Sequence, residues 1–161
     1  MNILIVRLSA IGDIVMSAPF ATSLRERYPE ARIDWLVEPQ AAALAAAHRH
    51  IDGTLVWPKE RWQALWRERR LPALLGEMRA FARSLGRRYE LALDLQGLMK
   101  SGMLAWMTRA PERIGLGSRE GSAALMTRVV EPPRGDRRFG SEYRHLAEAL
   151  ALPPYRLAWP F

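Results

Sequence analysis

The chain has 161 residues, of which 49% are apolar, and this fits one globular domain with a hydrophobic core and excludes wholesale disorder. The absence of cysteine excludes disulfides, zinc–thiolate sites and a cysteine nucleophile, and three scattered histidines are too few to predict a metal cage. The net charge of +7, from 24 basic and 17 acidic residues, suits an anionic partner, although composition alone favours solvated arginine-rich helix faces.

Short apolar runs typical of buried strands alternate with longer stretches of helical periodicity. The predicted strands are residues 3–6, 32–37, 53–57, 91–95, 112–116 and 128–130. The predicted helices are residues 12–28, 40–48, 61–88 with a break near Leu71-Pro72, 98–108 and 141–150. This alternation predicts an α/β, Rossmann-like fold, with a mostly parallel sheet and helices on both faces. Functional loops are then expected at the carboxyl ends of the strands, in residues 7–12, 57–62 and 94–100.

The sequence also suggests where the protein resides and how it is divided. No apolar run approaches the roughly 18–20 residues of a membrane span, and the run at 3–6 is too short for a signal-peptide core, so we expect a cytoplasmic protein. Residues 1–151 are predicted to form the domain. Residues 152–161, rich in proline and aromatic residues, are typical of an interdomain linker, so we expect the chain to be half of a larger protein.

The segment 7–14 runs from the first strand through a turn into the first helix, and Asp13 lies in the first helical turn. Backbone N–H groups and the positive helix end would keep this carboxylate ionised and ready to accept a proton. A helix N-cap is the more common use of such a residue, so position alone favours a structural role. The segment contains neither a P-loop motif nor a dinucleotide-binding glycine motif.

The segment 94–101 is a second candidate site. Its strand ends in a carboxylate, the amide of Gln96 and Gly97, and the next helix opens with Lys100. Backbone N–H groups and this lysine together could receive an anionic group. A strand–helix corner with a solvated lysine explains the pattern equally well.

Arginines and tryptophans are interleaved in residues 59–70, where Trp62 and Trp66 share one helix face. We expect the tryptophans to pack on the sheet. Four arginines within ten residues repel each other, so at least one of them is expected to contact an anion. These are Arg61, Arg67, Arg69 and Arg70. The glycine-rich loop at 115–120, which contains Arg119, is by itself typical of an ordinary turn.

These segments, in this order, resemble glycosyltransferase family 9, the ADP-heptose:lipopolysaccharide heptosyltransferases, and within it the N-terminal half of heptosyltransferase I. The matching motifs are Ser-x-x-Gly-Asp at 9–13, Pro19, Asp-Trp-x-Val-Glu at 34–38, Arg-Trp-x-x-x-Trp at 61–66, Asp-x-Gln-Gly-Leu-x-Lys-Ser at 94–101 and Arg-Glu at 119–120. Relatives carry further basic residues between the two tryptophans, where this chain has Gln-Ala-Leu at 63–65.

The resemblance implies two facing Rossmann-like domains, the GT-B arrangement, with this chain as the acceptor-binding half. It implies inverting transfer of L-glycero-D-manno-heptose to Kdo-lipid A, from ADP-heptose held by a C-terminal domain. No metal or cofactor is predicted, and the chain alone is expected to be inactive. Because the acceptor is lipid-anchored, peripheral contact with the cytoplasmic face of the bacterial inner membrane is also expected.

The resemblance also assigns roles to residues. Asp13 matches the general base of the family, which takes the proton of the attacking acceptor hydroxyl. The loop that presents it contains Ser9, Ala10 and Gly12. The predicted acceptor-binding residues are Ser9, Ala10, Gly12, Arg61, Gln96, Lys100 and Arg119. Arginine and lysine side chains there would complement the phosphates and carboxylates of the acceptor.

Two alternatives remain open from the residues alone. One is a non-catalytic module that binds an anion or a nucleic acid through the basic helical region 59–88. No recognised nucleic-acid motif supports it, so no nucleic-acid partner is expected. The other is a structural domain whose arginines dock a partner subunit or the missing half of its own protein, which would expose an apolar face on the isolated chain.

Overall fold

The structure is a computed structural model that describes residues 1–86, 88–153 and 160–161. Its centre is a six-stranded sheet in the order β3-β2-β1-β4-β5-β6, and the described strand pairs are parallel. The strands are β1 (Asn2–Val6), β2 (Arg32–Val37), β3 (Gly53–Val56), β4 (Leu91–Asp94), β5 (Glu112–Leu116) and β6 (Arg128–Val130). The helices are α1 (Ile11–Arg27), α2 (Ala42–Ala46), α3 (Lys59–Arg67), α4 (Leu71–Leu85), α5 (Met99–Met107) and α6 (Ser141–Ala149).

This strand order is the doubly wound order of Rossmann-like folds, so the predicted fold class is confirmed. The chain turns from one side of the sheet to the other next to β1, which makes the carboxyl ends of β1 and β4 the expected ligand crevice. The six predicted strands are all present, and all of their ends lie within one residue of the predicted positions.

The predicted break in the long basic helical region is also confirmed. Helix α3 ends at Arg67 and helix α4 begins at Leu71, with Pro72 in its first turn. Proline is well tolerated there because the first N–H groups of a helix have no intrahelical acceptor. The predicted helix at 40–48 is shorter than expected, since Pro39–Ala41 forms a 3-10 turn ahead of α2.

The proposed linker at 152–161 stays a prediction, because residues 154–159 lie outside the described residues. The two residues after them are tied to the domain. The carbonyl of Pro160 accepts a hydrogen bond of 3.0 Å from the Arg49 N–H, and the ring of Phe161 packs edge-on against His48.

The core forms two apolar layers, one on each face of the sheet. On β1, Ile3 and Ile5 point into the layer under α1 and α6, while Leu4 and Val6 point into the layer under α3, α4 and α5. All four side chains are fully buried. Burial on both faces is the reason why the central strands read as continuous apolar runs instead of alternating patterns.

Gly97 occupies a backbone position that only glycine adopts without strain. Its φ is +70°, and a Cβ atom there would lie 2.5 Å from the carbonyl oxygen of Leu116. The loop after β4 therefore passes directly against the carboxyl end of β5. This close approach holds together the two loops that carry Gln96 and Arg119.

We expect Gly97→Ala to destabilise the protein by about 2 kcal/mol or more, because it combines an unfavourable positive φ with a backbone clash. Urea unfolding followed by circular dichroism measures this loss. Gly76→Ala is the matched control, since a Cβ on that helical glycine meets no atom within 4 Å. The control is expected to be neutral or stabilising by up to about 1 kcal/mol. Equal stability of the two variants would contradict this account of Gly97.

Candidate functional site

Asp13 lies in the first turn of α1, three residues after the N-cap residue Ala10. The alternative that Asp13 is itself the N-cap is therefore wrong. Its Oδ2 atom accepts a hydrogen bond of 3.3 Å from the Ala10 N–H and lies 2.6 Å from Nη2 of Arg7. The side chain is 49% exposed, so the carboxylate is held by Arg7 and Ala10 on one side and faces solvent on the other.

Arg7 is the main functional candidate that the sequence analysis missed. Its side chain follows the central strand β1 and is almost completely buried, and its Nη1 also donates to the carbonyl of Leu95 at 3.4 Å. A buried guanidinium needs a partner, and Asp13 supplies it. The available signal was a basic residue placed directly after a buried central strand, at the edge where such folds bind ligands.

The loops after β1 and β4 are joined by a buried side chain. The Leu8 N–H donates to Oε1 of Gln96 at 2.9 Å, and Gln96 itself is buried. Asp94 fixes that loop, because its Oδ1 accepts hydrogen bonds from the backbone N–H groups of Gln96 and Gly97 at 3.0 and 3.1 Å. Within the described part of the chain, the Gln96 Nε2 donates no hydrogen bond, which leaves its N–H groups for a ligand.

The loop after β5 lies on the other side of the loop after β4. The Arg119 N–H donates to the carbonyl of Gly97 at 2.7 Å. A cavity of about 400 Å³ opens between these loops, and its lining includes Arg7, Gln96, Arg119 and Tyr143. The structure thus brings Gln96 and Arg119 together with the partner of Asp13. The exposed Arg119 side chain makes no ion pair with any residue that the structure describes.

Lys100 lies in a second charged cluster, at the carboxyl ends of β2 and β3. Its Nζ and the Nζ of Lys59 are each 3.3 Å from Oε1 of Glu38, which is 2% exposed. Lys100 also lies over the ring of Trp57, 6.0 Å from its centroid. These are the only two lysines in the sequence. Two ammonium groups on one carboxylate leave one excess positive charge at this edge.

Burial alone would raise the pKa of Glu38, but the hydrogen bond from Gln40 and the two lysines outweigh it and hold that pKa below its ordinary value. The carboxylate therefore stays ionised and keeps both lysines in place. Its backbone N–H donates to the Leu8 carbonyl at 2.9 Å, so this lysine cluster adjoins the loop that presents Asp13.

The other predicted site residues lie in different surroundings. Arg61 is bound to Glu77 of α4 at 2.9 Å, on an exposed surface, and the structure gives it no contact with the Asp13 loop. Ser9 and Ala10 form the turn between β1 and α1. Gly12 is exposed at the start of α1, and a Cβ atom there would meet nothing within 4 Å. The fold therefore does not require glycine at position 12.

Among the residues that the structure describes, no group of three or more histidine, aspartate or glutamate side chains could hold a metal ion. No helix in the described part of the chain is long and apolar enough to cross a membrane.

Comparisons with known proteins agree on one family. Residues 78–154 match the model described as glycosyltransferase family 9 (heptosyltransferase). The chain is 34% identical over 111 residues to lipopolysaccharide heptosyltransferase 1 of Pseudomonas aeruginosa, which covers 68% of this chain and 29% of that protein.

Solved structures agree in fold. The chain superimposes on the Escherichia coli heptosyltransferase WaaC with ADP-2-deoxy-2-fluoro heptose with a TM-score of 0.80 and 22% identity, over 99% of this chain and 51% of that one. It superimposes equally well, with a TM-score of 0.80 and 20% identity, on a family 9 glycosyl transferase from Veillonella parvula, over 99% of this chain and 44% of that one. The chain thus spans about half of each solved structure.

The fold is therefore that of one Rossmann-like domain of the GT-B glycosyltransferases. The resemblance inferred from the sequence motifs is confirmed, and the chain belongs to glycosyltransferase family 9.

We expect Glu38→Gln to lower the free energy of unfolding by about 2 kcal/mol at pH 7, because the variant loses two charge-assisted contacts. The pKa of Glu38 is lower in the folded state than in the unfolded state, where it is about 4.5. Its contribution is therefore complete above that value and is lost as the pH falls through the folded pKa. Urea unfolding of both proteins from pH 7 to pH 3 measures the difference.

The control is Glu60→Gln, which removes an exposed glutamate from the first turn of α3. It is expected to change stability by less than about 0.5 kcal/mol. If the loss of unfolding free energy in Glu38→Gln stays constant down to pH 3, the ionised carboxylate of Glu38 does not provide the stabilisation.

Proposed function

We propose that this chain is the acceptor-binding part of an enzyme that transfers heptose from ADP-heptose to Kdo-lipid A with inversion of the anomeric centre. Family membership supports glycosyl transfer, and the relatives named above include a lipopolysaccharide heptosyltransferase and a heptosyltransferase structure with ADP-2-deoxy-2-fluoro heptose. The donor would be held by the part of the enzyme that faces this domain.

The observation that carries the mechanism is the orientation of Asp13. The Arg7 contact and the Ala10 contact are both made at Oδ2. Among the described residues, Oδ1 has no partner, and the side chain is about half exposed. A carboxylate anchored through one oxygen and open at the other is suited to accept a proton. We therefore assign Asp13 as the general base.

In this mechanism the acceptor hydroxyl lies against Oδ1 and gives up its proton as its oxygen attacks the anomeric carbon. The bond from that carbon to the ADP oxygen breaks on the opposite face, and ADP leaves with the electron pair. Arg7 keeps Oδ2 occupied throughout, so the proton is directed to Oδ1. No metal is assigned a role in this step.

Cations at the same edge support an anionic acceptor. Arg119 and Gln96 line one cavity, whose lining also includes Glu131, Asp136 and Glu142, and the lysine cluster carries one excess positive charge beside the Asp13 loop. Guanidinium and ammonium groups complement phosphates and sugar carboxylates. A lipid-anchored acceptor also requires the domain to work at the cytoplasmic face of the membrane, so we include peripheral membrane contact in the proposal.

The nucleic-acid module is the weaker hypothesis. The family match begins inside the basic helical region and continues to residue 154, so the comparisons attach this region to a glycosyltransferase. Arg61, which that module would use, is paired with Glu77.

We expect Asp13→Asn to lower kcat for heptose transfer by about 10²–10⁴-fold, because the amide accepts no proton at neutral pH. The assay uses the complete gene product with ADP-heptose and Kdo-lipid A and measures ADP release. The matched control is Glu60→Gln, which neutralises another acidic side chain in the first turn of a helix. Full activity of Asp13→Asn, with the control also active, would refute the general-base assignment.

Gly12→Ala separates a ligand requirement from a folding requirement. The added methyl group meets no protein atom within 4 Å, and alanine favours a helix, so thermal stability is expected to be unchanged or raised. If the acceptor passes over the exposed start of α1 to reach Asp13, KM for the acceptor should rise by about tenfold, the cost of a poorly fitting methyl group in a binding site. Gly76→Ala is the control, and equal kinetics of the two variants would place the acceptor elsewhere.

A further inference from the structure

Helices α3 and α4 form a helical hairpin with an apolar groove between them. The groove has a volume of about 430 Å³, and its apolar lining comes from Trp57, Trp62, Trp66, Leu74 and Met78. Its base is firmly packed, because the Trp62 ring meets the rings of Trp57 and Phe81 edge-on with centroids 6.0 and 5.5 Å apart. The base of the hairpin is thus packed with aromatic rings, and its groove opens to solvent.

The end of this hairpin, residues 66–72, is exposed at every position, and we call it the hairpin tip. The tip contains two large apolar side chains, Trp66 at 66% and Leu71 at 47% exposure. Leu75, one helical turn after Leu71 on the same face, is 51% exposed. The prediction that Trp66 packs on the sheet is wrong, because Trp66 lies near the end of α3, one turn beyond the packed Trp62.

Cationic side chains surround these apolar residues. Arg67, Arg69 and Arg70 belong to the tip and are exposed. The single acidic residue of the tip, Glu68, lies 3.8 Å from Arg70. Arg67 and Arg69 form no ion pair with any residue that the structure describes. The tip therefore carries a net charge of +2 on an exposed surface that includes Trp66 and Leu71.

We propose that the hairpin tip is the membrane-docking surface of this domain, and that its occupant is an anionic lipid bilayer. Tryptophan and leucine side chains fit the boundary between headgroups and acyl chains, and the arginines fit the anionic headgroups. The charge decides between a bilayer and a protein partner. Exposed arginines next to exposed apolar side chains match a laterally continuous negative surface, whereas a protein partner would need carboxylates placed to match each arginine.

This inference deepens the proposed function, because it names the surface by which the enzyme would reach a lipid-anchored acceptor. It rests on the tip alone and is tested separately from the chemistry. The complete gene product is mixed with vesicles of phosphatidylglycerol and phosphatidylcholine or with vesicles of phosphatidylcholine alone, and bound protein is measured by co-sedimentation.

Binding is expected to require the anionic lipid. It should weaken as the salt concentration is raised from about 0.1 to about 0.5 M, because salt screens the attraction between surface charges. Arg67→Gln with Arg70→Gln should weaken binding by about fivefold for each arginine removed. Arg79→Gln with Arg83→Gln removes the same charge from exposed positions nearer the other end of α4 and should weaken it less.

The apolar part of the surface is tested with Trp66→Ser, Leu71→Ser and Leu75→Ser combined, which should reduce binding by about tenfold or more. These side chains are exposed, so the fold should survive. Trp106→Ser is the matched control, since Trp106 is 53% exposed on α5. Equal losses in the tip variants and their controls would overturn the proposal, as would tip-dependent self-association without vesicle binding.

A kinetic comparison separates this proposal from the catalytic one. With a deacylated, water-soluble acceptor, the variant that combines Trp66→Ser, Leu71→Ser and Leu75→Ser, called the tip variant, should retain full ADP release. Asp13→Asn should lose it. With acceptor embedded in vesicles, the tip variant should lose activity through KM. A tip variant that fails equally on both acceptors would show that the tip belongs to the catalytic machinery and not to membrane docking.

Discussion

The hydrogen bond from the Leu8 N–H to the Gln96 amide oxygen is the interaction on which the rest of the site depends. It joins the loops after the two central strands at the point where the sheet changes its winding direction. The loop after β1 leads into α1 and positions Asp13, while the loop after β4 is held by Asp94 and by the close passage of Gly97 against β5. One buried amide thus connects the candidate base to the candidate anion-binding loops.

At the carboxyl edge of the sheet, each ion pair of the candidate site has one buried member and a more exposed partner. Glu38 and Arg7 are both buried, and each is paired with opposite charge, the first with two lysines and the second with Asp13. In each pair the buried partner is fixed and the outer partner is more exposed. This is the arrangement expected of groups that must meet a polar ligand without rearranging, because the orientation is set before the ligand arrives.

Much of the fold could be predicted from the sequence, because strands and helix breaks leave their signals in short segments of the chain. The strands around Ile3 and Leu93 read as continuous apolar runs because both sheet faces are covered, and the helix break appears as Leu71-Pro72. Gly97 and Arg119 were found through motifs next to strand ends. The side-chain contacts of the candidate site were not predictable, since they join residues far apart in the chain. Lys100 meets Glu38 across 62 positions and Gln96 meets Leu8 across 88, and nothing in the local pattern specifies either partner.

Helix α3 connects the two parts of the proposed function. It begins at Lys59, in the lysine cluster beside the Asp13 loop, and ends at Arg67 in the hairpin tip. Nine helical residues span about 13 Å. If the hairpin tip rests at the headgroup boundary, Lys59 lies at most about one helix length from that boundary. A few sugar units extend over a similar distance from a lipid anchor. The hairpin tip and Lys59 belong to the same helix, so their separation follows from the length of that helix. Under the two proposals taken together, the length of α3 would contribute to which acceptor hydroxyl meets Asp13.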